Sequence, residues 1–406
     1  MIRAVLVDDE PPARTRMRQL LDAAGDVTVV GEAGSAMEAR EVIQQTRPDL
    51  LFLDVDMPEV RGTALAASLP EPRPFIVFAT AFDQYGLEAI AVEATDYLLK
   101  PVSRLKLAAT LDRVRGKLAR QAIDRDIAAA SDVQTRMWPG SLPAIPGFDC
   151  AAASLPARGV GGDFYDVFDL SEGDGFSRRS EGDAVSRRSE ADGFSRRSEA
   201  DGFSRRSEGD GFSRRQWALL LGDASGKGVA AGLVASAVQA RVHTAATLAR
   251  LGPDALMTEV DRDVYASTDG ARFATAVYGV LDASQRRLTL VNAGHPPILV
   301  LPAALDRPLR LEATGPALGL IETGTFRSHE VPLPPGTVLV AVTDGVGDAL
   351  DQADREFGEE RLEELVISTR NRSAADICAA ILTGVRTHRG TRQDQDDVTA
   401  LVVKAK

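Results

Sequence analysis

The stretch WALLLGDASGKG, residues 217–228, joins an apolar run of strand character to a glycine-rich turn that contains one acid and one lysine. A phosphate-binding P-loop has the pattern G-x-x-x-x-G-K followed by Ser or Thr. The interval from Gly222 to Gly226 is one residue too short for this pattern, and Gly228 occupies the position of the hydroxyl. The stretch therefore disfavours a nucleotide site, and Asp223, at the end of a strand, needs another explanation.

Composition and charge narrow the class of protein. The chain has 406 residues, 44% hydrophobic residues and a formal net charge of -12, which indicate two or three folded domains and give no electrostatic reason to bind nucleic acid or an anionic membrane. Two cysteines without a C-x-x-C pair and only four histidines exclude a disulfide framework and a Cys/His zinc site, so a metal would need oxygen ligands. No signal-peptide pattern and no apolar run long enough to span a membrane occurs in the sequence, which predicts a cytoplasmic protein.

Residues 3–100 alternate short apolar runs with amphipathic segments, which predicts a five-stranded parallel α/β domain. In such sheets the functional residues lie at the carboxyl ends of the strands. The polar residues at these ends are Asp8, Asp9, Asp54, Thr80 and Lys100. Three carboxylates at one edge favour Mg²⁺, and the hydroxyl and the ammonium could bind phosphoryl oxygens. The alternative is a flavodoxin-like fold in which these are ordinary strand-end acids.

The motifs DDE, FLDVDMPEVRG, VFATAF and DYLLKPV occur in this order, and residues 1–120 resemble the receiver domain of two-component response regulators. The resemblance implies an upstream sensor histidine kinase as partner and a switch driven by the added charge of a phosphoaspartate. It assigns the phosphoacceptor to Asp54, the Mg²⁺ site to Asp8, Asp9, Asp54 and the carbonyl of Asp56, the phosphoryl contacts to Thr80 and Lys100, and the switch aromatic to Tyr97.

One long helix is predicted between residues 103 and 137, because this linker contains no proline and a single glycine. Its apolar residues at spacings of four and three are typical of a coiled-coil seam, namely Leu107, Leu111, Val114 and Leu118. We therefore expect the helix to pair two chains in a homodimer. The alternative is a helix that packs on its own receiver domain.

Residues 174–215 form a tandem nine-residue repeat of the type DGFSRRSEG, in which arginines and acids balance. Calcium-binding repeats of this length need acids that are not opposed by cations. Because each repeat has at most one large apolar residue, we expect a disordered insertion rather than a folded element. The alternative is a docking segment recognised through its Ser-Arg-Arg-Ser elements.

The remainder of the chain predicts a β-sandwich flanked by helices at 226–249, 252–266, 358–369 and 373–388. Four acids lie at its strand ends or turns beside glycine or another acid, namely Asp163, Asp223, Asp344 and Asp396. Such carboxylates favour two Mg²⁺ or Mn²⁺ ions that activate water for attack on phosphorus.

The motifs VGGDFYD, GDASGKG, NAGHPP, TDG and DDVT occur in this order, and residues 140–406 resemble the SpoIIE/RsbU-like branch of the metal-dependent type 2C serine/threonine phosphatases. The resemblance implies a phosphoprotein substrate such as an anti-sigma-factor antagonist. It assigns the bridging metal ligand to Asp223, a carbonyl ligand to Ala224, the second metal to Asp344 and Asp396 with Asp397 as substitute, and the ordering of water to Asp163.

Three residues bear on catalysis without a clear role. Ser225 stands where eukaryotic members of the wider family have a histidine, so the acid that protonates the leaving group is not identified. His295, in a turn, is expected to be structural, and Arg158 is a candidate phosphate ligand or an ordinary surface residue. Cys378 is expected to lie in the core.

The sequence thus favours a phosphorylation-controlled phosphatase over two alternatives. A phosphatase-like adaptor would have lost its acids, and this chain retains all four. A DNA-binding response regulator would need a basic helix or β-domain at its C-terminus, and the terminal DDVTALVVKAK has neither.

Overall fold

A parallel five-stranded sheet forms the centre of the first of two units, which comprise Met1–Asp126 and Ile127–Lys406. The computed structural model describes residues 1–81, 94–156, 159–170, 215–249, 251–268, 270–392 and 396–406. The predictions for the repeat and for Arg158 lie outside these residues. Within the described part of the chain, no helix is both long and apolar enough to cross a membrane.

The first unit has the strand order β2-β1-β3-β4-β5, with every neighbouring pair parallel, as predicted. Most residues of its strands are apolar because helices cover both faces of a parallel sheet. The elements are β1 Ile2–Val7, α1 Pro11–Asp22, β2 Val27–Ala33, α2 Ala36–Thr46, β3 Leu50–Leu53, α3 Gly62–Ser68, β4 Phe75–Thr80, β5 Asp96–Leu99 and α4 Arg104–Met137.

Helix α4 contributes its apolar stripe to the core of the first unit. Leu107, Leu111 and Val114 are at most 2% exposed and pack with residues of β1, β3 and α1, while Leu118 is half-buried against the same cluster. Leu107, Leu111 and Val114 are therefore not available as a seam between two chains, and that prediction is wrong for these three residues. The alternative, packing of the helix on its own domain, is the one observed.

We predict that Leu111→Ala lowers the free energy of unfolding of the first unit by about 2–5 kcal/mol, because it leaves a cavity in a close-packed core. Leu105 on the same helix is 83% exposed, so Leu105→Ala is the matched control and should change that free energy by less than about 0.5 kcal/mol. Denaturation followed by hydrogen exchange of β1–β5 measures both effects. Equal effects of the two variants would contradict this packing.

The second unit contains two antiparallel five-stranded sheets, of strand order β13-β10-β9-β8-β7 and β12-β11-β14-β15-β6. Its strands are β6 Phe148–Leu155, β7 Asp163–Asp169, β8 Gln216–Ala224, β9 Ala274–Asp282, β10 Arg287–Ala293, β11 Ile298–Leu301, β12 Leu309–Leu311, β13 His329–Pro332, β14 Val338–Val342 and β15 Val398–Ala405. Its helices are α5 Val229–Leu248, α6 Pro253–Thr268, α7 Asp344–Gly347, α8 Gly358–Thr369 and α9 Ala374–Arg389. The predicted β-sandwich with flanking helices is confirmed.

Three apolar layers hold the second unit together. Side chains of both sheets meet in a central cluster that contains Trp217 and Leu401. Helices α5 and α6 cover the outer face of the first sheet, and α8 and α9 cover the outer face of the second. Cys378 lies in this last layer and is 2% exposed, as expected for a core residue.

Strands β7 and β8 pair directly although the repeat separates them in sequence. Asp169 lies opposite Trp217, and the amide of Leu170 donates to the carbonyl of Gln216 at 2.8 Å. Backbone hydrogen bonds therefore join β7 and β8 up to the residues that flank the insertion.

We predict that deletion of residues 174–213 leaves folding and basal activity of the second unit nearly unchanged, because the entropy of loop closure depends only logarithmically on loop length. The measurement is the cooperative thermal unfolding of the deletion variant beside that of the full chain. A broad, non-cooperative transition in the deletion variant would show that the repeat is structural.

Candidate functional site

The first unit brings together acids from the carboxyl ends of β1 and β3. The strands run in register, and the amide of Asp54 donates to the carbonyl of Val7 at 2.8 Å, which places Asp54 beside Asp8. Ligand oxygens of Asp8, Asp9 and Asp54 lie within 4.8 Å of one another, the only such group among the described residues. The predicted convergence of these three carboxylates is therefore observed.

Lys100, which follows β5, supplies the positive charge of this edge. Its Nζ lies 2.6 Å from Asp8 Oδ2 and 2.6 Å from Asp54 Oδ2. Burial raises the pKa of Asp8 even though Lys100 opposes the effect, and the two carboxylates raise the pKa of Lys100 despite its own burial. One ammonium beside three carboxylates leaves an excess of negative charge, which suits a divalent cation with oxygen ligands.

The remaining predicted residues of this unit surround the same edge. Thr80 ends β4 and is completely buried, and Tyr97 on β5 is half-buried beside the cluster that contains Leu53 and Phe78. The amide of Asp56 lies 3.4 Å from Asp54 Oδ1. Gly62 is required on steric grounds, because a Cβ at this position would collide with the carbonyl of Asp54.

In the second unit the predicted acids meet where the two sheets come together. Asp163 begins β7 and lies directly opposite Asp223 on β8 in the antiparallel register, so the two side chains are on one face of the first sheet. Asp344 follows β14, and Asp396 and Asp397 precede β15, which pairs with β14 in the second sheet. Acids that are far apart in sequence are thus brought to one site by two sheets.

Asp163 is 2% exposed and is held by two hydroxyl groups. Thr343 Oγ1 and Thr399 Oγ1 both donate to its Oδ2, at 2.9 and 2.5 Å. Thr343 Oγ1 also accepts from the amide of Thr399 at 2.9 Å, which ties β14 to β15 behind the acid. Asp163 therefore has one oxygen oriented by the scaffold.

The carboxylates of this site repel one another. Burial and the charge of Asp223 raise the pKa of Asp163 well above its usual range, and burial together with Asp344, Asp396 and Asp397 raises the pKa of Asp223 to about 7. Burial and neighbouring acids also raise the pKa of Asp344. Among the described residues, no lysine or arginine forms an ion pair with Asp163, Asp223 or Asp344. The site therefore favours additional positive charge, as a divalent-cation site must.

Asp396 and Asp397 have different surroundings although they are adjacent. Asp396 is half-exposed, and its Oδ1 lies 2.9 Å from Lys227 Nζ. Asp397 Oδ2 instead accepts from the amide of Gly162 at 2.9 Å. This difference supports Asp396 as the acid that faces the open site and Asp397 as the residue that holds the glycine loop. Lys227, just before α5, thus contacts a carboxylate.

A close approach of backbone shapes the space beside Asp223. The amide of Ala224 donates to the carbonyl of Gly162 at 3.0 Å, and a Cβ at Gly162 would lie 2.6 Å from both Ala224 O and Asp223 Oδ1. Only glycine leaves these two oxygens open at this position. Carboxylate and carbonyl oxygens are the ligands that Mg²⁺ and Mn²⁺ prefer, so the residues fit such ions.

His295 is not positioned as an acid catalyst. It is 3% exposed, its Nδ1 lies 2.9 Å from Thr275 Oγ1, and burial lowers its pKa to about 4. The imidazole is therefore neutral at pH 7, and the predicted structural role is supported. Ser225 Oγ accepts from the amide of Phe273 at 3.1 Å and thereby holds the turn after β8.

Several residues of the site were not predicted from the sequence. Thr343 and Thr399 belong to the TDG and DDVT motifs, so their positions next to the acids could have identified them as residues of the site. Arg389 on α9 donates to the carbonyls of Gly345 and Asp396, at 3.1 and 3.0 Å, and no local pattern marks it.

Comparisons with known proteins agree with both halves of this description. The family "Response regulator receiver domain" matches residues 4–112, and the family "Stage II sporulation protein E (SpoIIE)" matches residues 213–406. The SiaA-PP2C domain of Pseudomonas aeruginosa has a TM-score of 0.51 at 20% identity, over 71% of this chain and 98% of that one, which supports the fold.

Two of the curated relatives share about a third of this chain. The transcriptional regulatory protein BtsR of Salmonella typhi is 45% identical over 124 residues, which are 30% of this chain and 52% of that protein. An uncharacterised response regulatory protein of Vibrio parahaemolyticus is 39% identical over 147 residues, 36% of this chain and 58% of its own length. The chain thus spans about half the length of these relatives.

The first unit has the fold of a receiver domain, and the sandwich of the second unit has the fold of PP2C phosphatases. The chain thus contains a response-regulator receiver domain in its first part and a SpoIIE-type phosphatase domain in its second.

We predict that Gly162→Ala weakens Mn²⁺ binding by at least about tenfold, which corresponds to about 1.4 kcal/mol, because the added methyl group displaces Ala224 O and Asp223. Gly140 in the same unit has open space around it, so Gly140→Ala is the control and should bind as the wild type does. Titration of both variants with Mn²⁺ measures the difference. Unchanged affinity in Gly162→Ala would contradict the described geometry.

Proposed function

We propose that this response regulator uses phosphorylation of Asp54 to control a metal-dependent phosphatase that acts on phosphoserine or phosphothreonine in a protein. The observation that carries the proposal is the convergence of the four predicted acids of the second unit at one sheet junction. Burial and repulsion between acids raise the pKa values of Asp163, Asp223 and Asp344. The charge of Asp396 contributes to this repulsion. The SpoIIE-family match over residues 213–406 supports the same activity.

Each acid has a role in this proposal. Asp223, the carbonyl of Ala224, Asp344 and Asp396 would together hold two Mn²⁺ or Mg²⁺ ions. These ions, when bound, neutralise the phosphate oxygens and lower the pKa of water. Asp163, oriented by Thr343 and Thr399, accepts a hydrogen bond from the attacking water and so directs it.

The leaving serine or threonine oxygen takes its proton from water in this proposal. His295 is buried and neutral at pH 7, so it is not available as an imidazolium acid, and Ser225 Oγ accepts from the amide of Phe273 and holds the turn after β8. A solvent-derived proton is compatible with the half-exposed position of Asp396 at the edge of the site.

A groove of about 550 Å³ adjoins Asp344 and supports a protein as the substrate. Pro296, Pro297 and Leu362 give it an apolar part, and Asp348 and Glu360 give it a polar rim. A folded or extended protein segment could lie in this groove while its phosphorylated side chain reaches Asp344. An anti-sigma-factor antagonist, or a similar regulatory protein, is the substrate class that the family resemblance suggests.

Regulation would begin at the first unit with a histidine kinase as phosphodonor and Mg²⁺ at Asp8, Asp9, Asp54 and Asp56. Lys100 would then contact the phosphoryl group instead of a carboxylate, and Thr80 would contact the same phosphoryl group. Strand β5 is joined to α4, since Asp96 accepts hydrogen bonds from Thr110 and Arg113 of that helix. Repacking at Tyr97, the next residue, would therefore act directly on α4.

We predict that Asp223→Asn abolishes Mn²⁺-dependent hydrolysis of p-nitrophenyl phosphate and of a phosphoprotein, because it removes the negative charge of a side chain that would hold the metal ions. Asp306→Asn, at an exposed acid of the same unit, is the control and should retain wild-type turnover. Chelation of the metal should stop hydrolysis by the wild type and by the control. If neither wild type nor control hydrolyses any phosphate ester with Mn²⁺ present, the second unit is a binding module and the proposal fails.

A further inference from the structure

Gln134 in the last turns of α4 is a buried polar residue on an otherwise exposed stretch of helix. Its side chain is 8% exposed, whereas the neighbouring Val133 and Met137 are 61% and 43% exposed. Both polar atoms of its amide are used. Oε1 accepts from the amide of Gly161 at 3.0 Å, and Nε2 donates to the carbonyl of the same residue at 2.7 Å.

Gly161 belongs to the loop that shapes the site of the second unit. The next residue, Gly162, donates its amide to Asp397 and accepts from the amide of Ala224, and Asp163 follows. A Cβ at Gly161 would collide with the carboxylate of Asp397. The loop is therefore held between Gln134 on one side and Asp397 on the other.

Helix α5 closes the remaining side of this contact. A Cβ at Gly232 would collide with Val160 and would lie 3.2 Å from the carbonyl of Gly161 and 3.3 Å from Gln134 Nε2. The space around the amide is thus filled by protein atoms, and loss of the glutamine would leave two buried backbone groups of Gly161 without this partner. Such loss costs more than the loss of an exposed hydrogen bond, because the groups have been removed from water.

We propose that Gln134 is a positioning residue of the metal site, which sets the place of the Gly161–Gly162 loop and, through it, of Asp163 and of the gap beside Asp223. The proposal rests on the proposed function of the second unit. It adds a residue that touches neither metal nor substrate and that stands on the helix continuous with the receiver. A rotation or shift of α4 would move this side chain and therefore the loop.

Gln239 on α5 provides a matched control for a purely structural role. It is 5% exposed, and its Nε2 lies 3.4 Å from the carbonyl of Met137 and 3.2 Å from that of Tyr165. It thus has the same residue type and similar burial, and it contacts the last residue of α4 and strand β7. It makes no hydrogen bond with the Gly161–Gly162 loop.

The test compares Gln134→Met and Gln239→Met in the full chain, because methionine keeps the volume and removes the hydrogen bonds. Mn²⁺ affinity is measured by titration without substrate, and binding that persists in Asp223→Asn is subtracted as the contribution of the first unit. We expect Gln134→Met to bind Mn²⁺ at least about tenfold more weakly and Gln239→Met to stay within about twofold of wild type. Excess Mn²⁺ should restore hydrolysis by Gln134→Met.

Thermal unfolding distinguishes a loss of Mn²⁺ affinity at the site from a general loss of stability. Both variants are expected to lose comparable stability, so a difference confined to Mn²⁺ affinity supports the proposal. If Gln134→Met does not fold, Gln134→Asn, which is one methylene too short to span both groups, takes its place. Equal Mn²⁺ affinity in wild type and the Gln134 variant, or equal losses in the Gln134 and Gln239 variants, overturns it. A wild-type chain that binds Mn²⁺ but hydrolyses nothing contradicts the proposed function. The comparison of Mn²⁺ affinities between the Gln134 and Gln239 variants still tests the role of Gln134 in that case.

Discussion

Repulsion between buried carboxylates is the constraint on which both units depend. Two like charges about 4 Å apart cost roughly 4 kcal/mol at an effective dielectric constant of about 20, so a protein that gathers acids needs a source of positive charge. The first unit places Lys100 between Asp8 and Asp54. In the second unit Lys227 contacts the half-exposed Asp396, and the pKa of Asp223 is raised to about 7. Each site thus carries an excess of negative charge that a divalent cation would offset.

The folds differ in how they hold these acids together. Parallel strands bring Asp8 and Asp54 side by side through register alone. The sandwich has to join two sheets, and it does so with Thr343 and Thr399, which donate to Asp163 from the second sheet. The glycine loop before Asp163 then lets backbone approach Asp223 closely. Packing and hydrogen bonds therefore offset the electrostatic cost of the site.

Much of this arrangement could be predicted from the sequence, for a physical reason. The acids at strand ends lie in short sequence motifs from which their positions can be inferred, and the order of these motifs along the chain indicates the fold. The apolar stripe of α4 illustrates the limit, because spacings of four and three describe an apolar face without saying which surface covers it. Leu107, Leu111 and Val114 pack on the receiver core instead of on a second chain. Gln134 had no local signal either, since its partner Gly161 lies on a loop 27 residues away.

The central claim is that the state of Asp54 sets the rate of the phosphatase domain through α4. The most direct measurement is hydrolysis of a phosphoprotein with and without a small phosphodonor, in wild type, in Asp54→Asn, and in chains with two or seven residues inserted after Asp124. Two residues rotate the following helix by about 200°, and seven restore its face to within about 20°. The account predicts a faster rate with the phosphodonor in wild type and in the seven-residue variant, and no response in the other two. A response that persists in Asp54→Asn, or that is the same for both insertions, would contradict it.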